Sequence, residues 1–282
     1  MNRHMIKPAL QNDEFIADVK WAGREANRLH LWWLGQSGFL ISWHGQHLLL
    51  DPYLSDSLTT KYADTSTPHV RMTEKVIDPQ RLDFVDIVTS SHNHTDHLDA
   101  ETITTLLAVN PDLTVLVSDA NREFAARRLQ VPSTRLTGIN CERPMDIGEF
   151  AFHAVPSAHE KVETDDDGHH KCIGLVVEAG PWTVYHAGDT IRYQGMASLL
   201  RKWNVDIALL PINGRDPLRG VAGNLFPQEA AELGRDMNAK MVIPCHYDMF
   251  EFNTVDPAEF VRAAQKANLT YHILKCGERW SS

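Results

Sequence analysis

Short apolar runs, broken by polar or glycine-bearing turns, alternate along this chain with stretches of helical spacing. The first periodic stretch, 12–27, sets Phe15, Ile16, Val19 and Trp21 or Ala22 on one side, with Asn12 or Asp13 able to cap it, and predicts an amphipathic helix. Three β-rich segments follow at 29–34, 38–43 and 47–50, split by Gly35-Gln36-Ser37-Gly38 and His44-Gly45-Gln46, and predict a meander that stops at Asp51-Pro52. A polar, irregular stretch spans 55–79, and a loop of that length in a compact domain is usually functional or mobile. Beyond it the apolar run 84–89 predicts a buried strand.

The second half continues in the same manner. Helices are expected over 100–109, 119–129, 193–203, 227–237 and 258–267, the fourth with Pro227 in its first turn. Strands are expected over 114–117, 134–136, 149–155, 172–178, 183–186, 205–210, 240–243 and 270–274. The alternation implies helices layered on sheets. No linker-like or low-complexity stretch divides the 282 residues, so one domain is expected over 1–282, with a helical extension at about 1–28.

Composition narrows the partners. The chain is 43% hydrophobic, enough for a large core, and its net charge of −10 argues against broad nucleic-acid binding, which wants a basic face. No stretch is apolar for long enough to span a bilayer, and the start, M-N-R-H-M-I-K-P, has no apolar leader core. The four cysteines form no C-x-x-C pair and read as reduced thiols, Cys245 among them as a core residue. A cytoplasmic protein acting on a small anionic substrate is expected, without nucleic-acid or membrane partners and with homo-oligomerisation left open.

The chemistry concentrates where the strand 84–89 ends, in Ser91-His92-Asn93-His94-Thr95-Asp96-His97. Imidazole and carboxylate side chains at this density suit zinc, manganese or iron. Four such groups in one turn cannot all reach one ion without strain. Alternate side chains of extended backbone point to opposite sides, so His92 and His94 would share one ion while Asp96 and His97 face a second.

H-x-H-x-D-H after a strand resembles the metallo-β-lactamase superfamily of binuclear metallohydrolases. The resemblance implies an α/β (α+β) fold, a four-layer αββα sandwich with two divalent ions, zinc or manganese with iron as an option, at the edge of its two sheets. It also implies a third histidine, a bridging aspartate and a last histidine, each at a strand end. His159 in Val155-Pro156-Ser157-Ala158-His159, Asp189 in His186-Ala187-Gly188-Asp189 and His246 in Pro244-Cys245-His246 fill these places. His92, His94 and His159 would then hold the first ion, and Asp96, His97 and His246 the second, with Asp189 shared. Gly188 would let the backbone turn sharply beneath a metal. An aspartate at the position of Asp51 commonly supports a ligand, by accepting a hydrogen bond from its imidazole. Asp96 is a candidate to orient water or carry its proton, and His186, beside the ligands, a candidate to protonate a leaving oxygen.

Three further segments look like the L-ascorbate-6-phosphate lactonase branch: Trp32-Trp33-Leu34-Gly35, Pro211-Ile212-Asn213-Gly214-Arg215-Asp216, and Pro244 through Phe250. That likeness implies a phosphorylated sugar-acid lactone as substrate. Asn213, Arg215, Arg219, Asn224 and Tyr247 are the candidate substrate contacts, because a glycine-rich loop bearing two arginines and leading to a helix start suits phosphate. His69, in the polar stretch, is read as a solvated histidine or a substrate contact, and His169 and His170, after the acidic cluster 163–167, as bystanders or a weak metal site. A phosphodiesterase and a thioester hydrolase would use the same ligands. A di-iron sensor and an inactive binding module are the non-enzymatic readings. His94 is present where di-iron members carry an acid, and no ligand of the set is missing.

Overall fold

The computed structural model describes residues 5–216, 218 and 220–282. Two sheets stack face to face. The first takes β1 (His30–Gly35), β2 (Gly38–Trp43), β3 (Gln46–Leu50), β4 (Ile87–Ser90), β5 (Thr114–Ser118) and β6 (Leu136–Ile139). The second takes β7 (Met145–Ile147), β8 (Phe150–Pro156), β9 (Ile173–Ala179), β10 (Trp182–His186), β11 (Ile207–Pro211) and β12 (Met241–Cys245). A last strand, β13 (Arg279–Ser281), returns to the first sheet and pairs with β1, giving the order β13-β1-β2-β3-β4-β5-β6 against β12-β11-β10-β9-β8-β7. Sheet order and sequence order coincide over β1–β6 because the meander is antiparallel, while β3 to β6 run parallel through helical crossovers.

Helices cover both outer faces. α1 (Asn12–Ala22) lies on the first sheet, where Phe15 meets Trp32 edge to face at 6.3 Å and Asp18 accepts the Trp32 indole N–H at 2.8 Å. A short α2 (Ser57–Lys61) interrupts the polar stretch, and α3 (Ala100–Val109) and α4 (Arg122–Leu129) pack on the same side, α4 against β5 and β6. α5 (Met196–Leu200), α6 (Pro227–Asp236) and α7 (Pro257–Lys266) serve the second sheet, α6 against β11 and β12. This is the αββα sandwich. β1, β2 and β11 are buried along their whole length, which is why they read as continuous apolar runs rather than alternating ones. No helix of the described residues is long and apolar enough to cross a membrane, and all four cysteines are free thiols.

Several boundaries differ from expectation for local reasons. α1 ends at Ala22, and its cap is Gln11 with no side-chain hydrogen bond, so neither Asn12 nor Asp13 caps it. β4 begins at Ile87, and ahead of it the Val85 amide donates to the Asn110 side chain at 3.1 Å rather than to a strand. The helix expected over 193–203 reduces to α5 and a 3₁₀ turn, since Gly195 stands at φ +87 just ahead of it. Residues 133–135 make a 3₁₀ turn and the strand starts at Leu136, and β7 was not foreseen. In 270–274 only Tyr271 forms a bridge, to Val242, so the chain's last strand is β13 instead.

Candidate metal centre

Each residue of the expected set follows a strand. The motif 92–97 follows β4, His159 follows β8, Asp189 follows β10 and His246 follows β12, while Asp51 follows β3. Parallel pairing of β3 with β4, of β10 with β11 and of β11 with β12 brings these ends to one edge of the sandwich. After β4 the chain folds into a tight turn, with Ser90 Oγ donating to the His92 carbonyl at 2.7 Å and the Leu98 amide to the His94 carbonyl at 2.8 Å. Asp99 then caps α3 through the Thr102 amide.

The side chains gather into two groups. His92, His94 and His159 form one, and Asp96, His97, Asp189 and His246 the other, the ligand atoms of each lying within 4.8 Å of one another. Asp189 stands between them. Its Oδ1 is 3.2 Å from His97 Nε2 and 3.5 Å from His246 Nε2, and its Oδ2 is 3.7 Å from His159 Nε2. In the first group His159 Nε2 and His94 Nδ1 meet at 3.0 Å. The nitrogens His92 Nε2 and His97 Nε2 and the oxygen Asp189 Oδ1 are buried and have no hydrogen-bond partner. Orphaned lone pairs that converge in this way are costly unless something positive lies between them, and a nitrogen-rich group beside a carboxylate-bearing one fits divalent cations.

The fold holds the rings from behind. Asp51 is fully buried, and its Oδ2 accepts from His97 Nδ1 at 2.7 Å, while its Oδ1 accepts from Thr89 Oγ1 at 3.0 Å and the Ser91 amide at 3.0 Å. The Gly223 carbonyl accepts from His159 Nδ1 at 2.8 Å. These contacts place the ring protons outward and turn His97 Nε2 and His159 Nε2 inward. Gly188 has φ +59, and a Cβ there would lie 2.7 Å from Ser91 Oγ, so only glycine lets the end of β10 come this close to the motif turn. Gln36, Asp51 and His246, all beside the groups, adopt positive φ (47, 40 and 66), a conformation that strains residues other than glycine.

Electrostatics separates the two groups. Burial pushes His92 well below its ordinary range, helped by the charge of His97, and burial followed by His159 lowers His94. Burial works against ionisation in the second group too, but there opposite charges win. Asp189 and Asp96 hold His97 well above its ordinary value, and Asp189 chiefly lifts His246 to about 9. In return, His97 and His246 keep Asp189 and Asp96 well below the usual carboxylate range despite their burial. Among these side chains the carboxylate charge is offset by the neighbouring imidazoles, a task that a bound divalent cation, as the largest local charge, would take over.

A cavity of about 340 Å³ opens over the two groups. It is lined by His94, Asp96, His159, Asp189 and His246, and also by Gln36 and Asn224. Asn224 is where a substrate contact was expected, and its side-chain oxygen also accepts from the Thr190 amide at 2.8 Å. The other expected contacts stand elsewhere. Arg215 forms a two-pronged ion pair with Glu229 at 2.7 and 2.8 Å and lies over the Phe226 ring, outside the cavity. Tyr247 points into the core, its hydroxyl donating to the Leu274 carbonyl at 2.5 Å and its ring 4.3 Å from Trp33. Asn213 is held by Asn253, which does line the cavity. Arg219 lies outside the described residues. His186 is buried behind the groups, bonded through Nε2 to the Ser37 carbonyl at 2.8 Å, so it does not reach a leaving oxygen in the cavity.

Some lining residues carried no signal in the sequence. Gln36 Nε2 donates to Asp96 Oδ2 at 2.9 Å, yet Gly35-Gln36-Ser37-Gly38 reads only as a turn. Lys61, Phe124, Arg128, Phe250 and Phe252 reach the cavity from separate elements. His69, for which a substrate contact was the alternative to a place in solvent, lines it as well. His169, expected as a bystander, is near enough to Asp165 and Asp167 to form a third, peripheral group on the hairpin between β8 and β9.

Comparison with known proteins gives a consistent result. Residues 30–246 match the family described as beta-lactamase superfamily domain. The chain is 27% identical over 252 residues to a UPF0173 metal-dependent hydrolase of Caldivirga maquilingensis, an alignment that covers 88% of this chain and 96% of the relative. Among solved structures, Igni18, a metallo hydrolase from Ignicoccus hospitalis, superposes with a TM-score of 0.66 at 19% identity, over 90% of this chain and 98% of that one. An isothiocyanate hydrolase from Delia radicum gut bacteria superposes at 0.69 and 17% identity, over 89% of this chain and 98% of that one. At such identities the structural likenesses speak to the fold.

Proposed function

The chain belongs to the beta-lactamase superfamily, and on that premise we propose that it is a metal-dependent hydrolase holding two divalent ions and cleaving a small anionic carboxylic ester, a lactone first among them. The observation that carries this reading is the place of Asp189 between the two ligand groups, with one oxygen toward each. His92, His94 and His159 would hold one ion, Asp96, His97 and His246 the other, and Asp189 both. Bound there, such ions supply Lewis acidity, which makes water a nucleophile near neutral pH and polarises a carbonyl.

The protein's own groups do the rest. Asp51 and the Gly223 carbonyl keep the His97 and His159 rings in one tautomer and one orientation. Gln36 donates to Asp96 Oδ2, the oxygen that also faces His246 Nε2 at 3.6 Å, and the Asp96 carboxylate would orient the attacking water or take its proton. Lys61 and Arg128 line the same cavity and form no ion pair within the described residues, so they supply positive charge for an anionic substrate. With Arg215 committed to Glu229, they also provide the anion contact that a phosphorylated sugar-acid lactone such as L-ascorbate 6-phosphate would need.

A panel of lactones, phosphodiesters and thioesters, assayed with zinc and with manganese, tests the assignment. Lactone turnover that follows the metal content supports it. Turnover of phosphodiesters alone would make the protein a phosphodiesterase, and thioester turnover alone a thioesterase. No turnover by a protein carrying its full metal complement would favour a non-enzymatic role.

A further inference from the structure

One wall of the cavity is built of rings. Tyr62, at the end of α2, stacks on His69 with centroids 4.2 Å apart and planes 20° from parallel. His69 in turn meets Phe252 at 4.3 Å and Phe250 at 5.1 Å. Phe124 faces the same cavity from α4, with the Arg128 guanidinium 4.6 Å from its centroid. These rings come from three separate stretches of chain, and none serves the ligand groups.

The wall is braced. His69 Nδ1 donates to the Thr67 carbonyl at 3.0 Å, which sets the ring plane, and Thr59 Oγ1 donates to the His69 carbonyl at 2.8 Å. Tyr53 Oη accepts the Leu58 amide at 3.0 Å, and Arg71, its side chain 7% exposed, ties Asp56 to the Thr73 carbonyl. A long polar loop is thus anchored at several points beneath its aromatic face. Charge lies beside the rings. Lys61 Nζ is 5.0 Å from the Tyr62 centroid, and Arg128 uses Nη1 for the Asn93 and Leu98 carbonyls.

Rings held in fixed planes favour a flat partner over an equally apolar puckered one, because offset stacking needs two faces. Cations over two of the rings, Lys61 over Tyr62 and Arg128 over Phe124, favour negative charge on that partner. We infer that the substrate's acyl or alcohol half is a flat, unsaturated ring carrying or adjoining a negative charge, and that His69 and Phe252 select it. The inference rests on the hydrolase reading for the bond that is cut, but not for the binding of the ring.

Benzoate and cyclohexanecarboxylate separate planarity from charge and size, and their binding to the metal-loaded protein is measured by titration calorimetry. Benzoate is expected to bind about tenfold more tightly. His69→Ala and the volume-sparing Phe252→Leu are each expected to bring the ratio close to one, while metal content and melting temperature stay as in the wild type. Phenyl and cyclohexyl esters should follow the same ratio in kcat/KM. Equal binding of the two acids, binding of neither, or a ratio untouched by both variants would overturn the inference. A clear benzoate preference without turnover of any ester would sink the hydrolase reading and leave the inference standing.

Discussion

Asp51 Oδ2 lies 2.7 Å from His97 Nδ1, and both side chains are wholly shut off from water. The pair joins the end of β3 to the motif turn after β4, so one carboxylate braces the sheet edge and aims a candidate ligand. Asp51→Asn removes the charge but keeps a side chain that tolerates the left-handed backbone at φ 40. Metal affinity of the second group is expected to fall about 10- to 100-fold, as for other supporting partners of ligand histidines. The metal-free protein should lose about 1.5–3 kcal/mol, the range for a hydrogen bond to a charged group. Competition with a chromophoric chelator and urea unfolding measure the two effects. Unchanged affinity would mean that His97 is oriented without Asp51.

Asp189 makes a different prediction because it faces both groups. Asp189→Asn is expected to weaken both ions and to cut activity at least about a hundredfold, of the order of losing one key transition-state donor. His94→Ala should release only the ion of the first group. Elemental analysis after equal dialysis compares the variants. Loss of a single equivalent from the Asp189 variant would show that the carboxylate serves one ion.

Much of this site is local in sequence, which explains how much of it was legible. A strand followed by His92, His94, Asp96 and His97 fits within a few residues, and the resemblance it carries implied the later ligands, for which His159, Asp189 and His246 stand at strand ends. Helices layered on sheets followed from the alternation of apolar runs, whereas the αββα sandwich followed from the resemblance that the motif carries. What failed depended on distant partners. Arg215 looks free until α6 brings Glu229 beneath it, and Tyr247 looks exposed until Trp33 and the Leu274 carbonyl enclose it. β13 is a three-residue edge strand, too short for its alternation to show, whereas the apolar run 270–274 packs without joining the sheet beyond Tyr271. The aromatic wall draws on three stretches far apart in sequence, so no spacing marks it.

The Arg215–Glu229 pair has a pH signature. Hydrogen bonding to Arg215, against the opposing effect of burial, holds the Glu229 carboxyl below its ordinary 4.5. A carboxylate lowered on folding adds stability above its unfolded pKa and loses it as pH falls through the folded value. The side chains of Arg215 and Glu229 are 35% and 27% exposed, so solvent screening limits the pair to about 0.5–1 kcal/mol. Arg215→Ala should therefore be less stable by about that much at pH 7. The gap should close as pH falls below 4.5 and through the lowered Glu229 value. Urea midpoints across pH provide the measurement. KM should remain unchanged, and a KM effect confined to anionic substrates would return Arg215 to the substrate site.

Gly223 ties the cavity loop to the first group through two contacts that one methyl would disturb. Its carbonyl accepts from His159 Nδ1 at 2.8 Å. A Cβ on it would stand 1.9 Å from the His159 carbonyl oxygen and 2.8 Å from Ile191 Cγ2. Backbone cannot yield as a flexible side-chain end can, so Gly223→Ala must move the loop away from His159. The ring then loses the acceptor that fixes its tautomer, and Nε2 is no longer held toward His94 and Asp189. Affinity in the first group is expected to fall about 10- to 100-fold while the second, braced by Asp51, keeps its ion. That is the reverse of the Asp51→Asn pattern, so stoichiometry in the two variants, each titrated with zinc, separates the two groups. Wild-type zinc binding in Gly223→Ala would show that His159 keeps its orientation without the loop carbonyl.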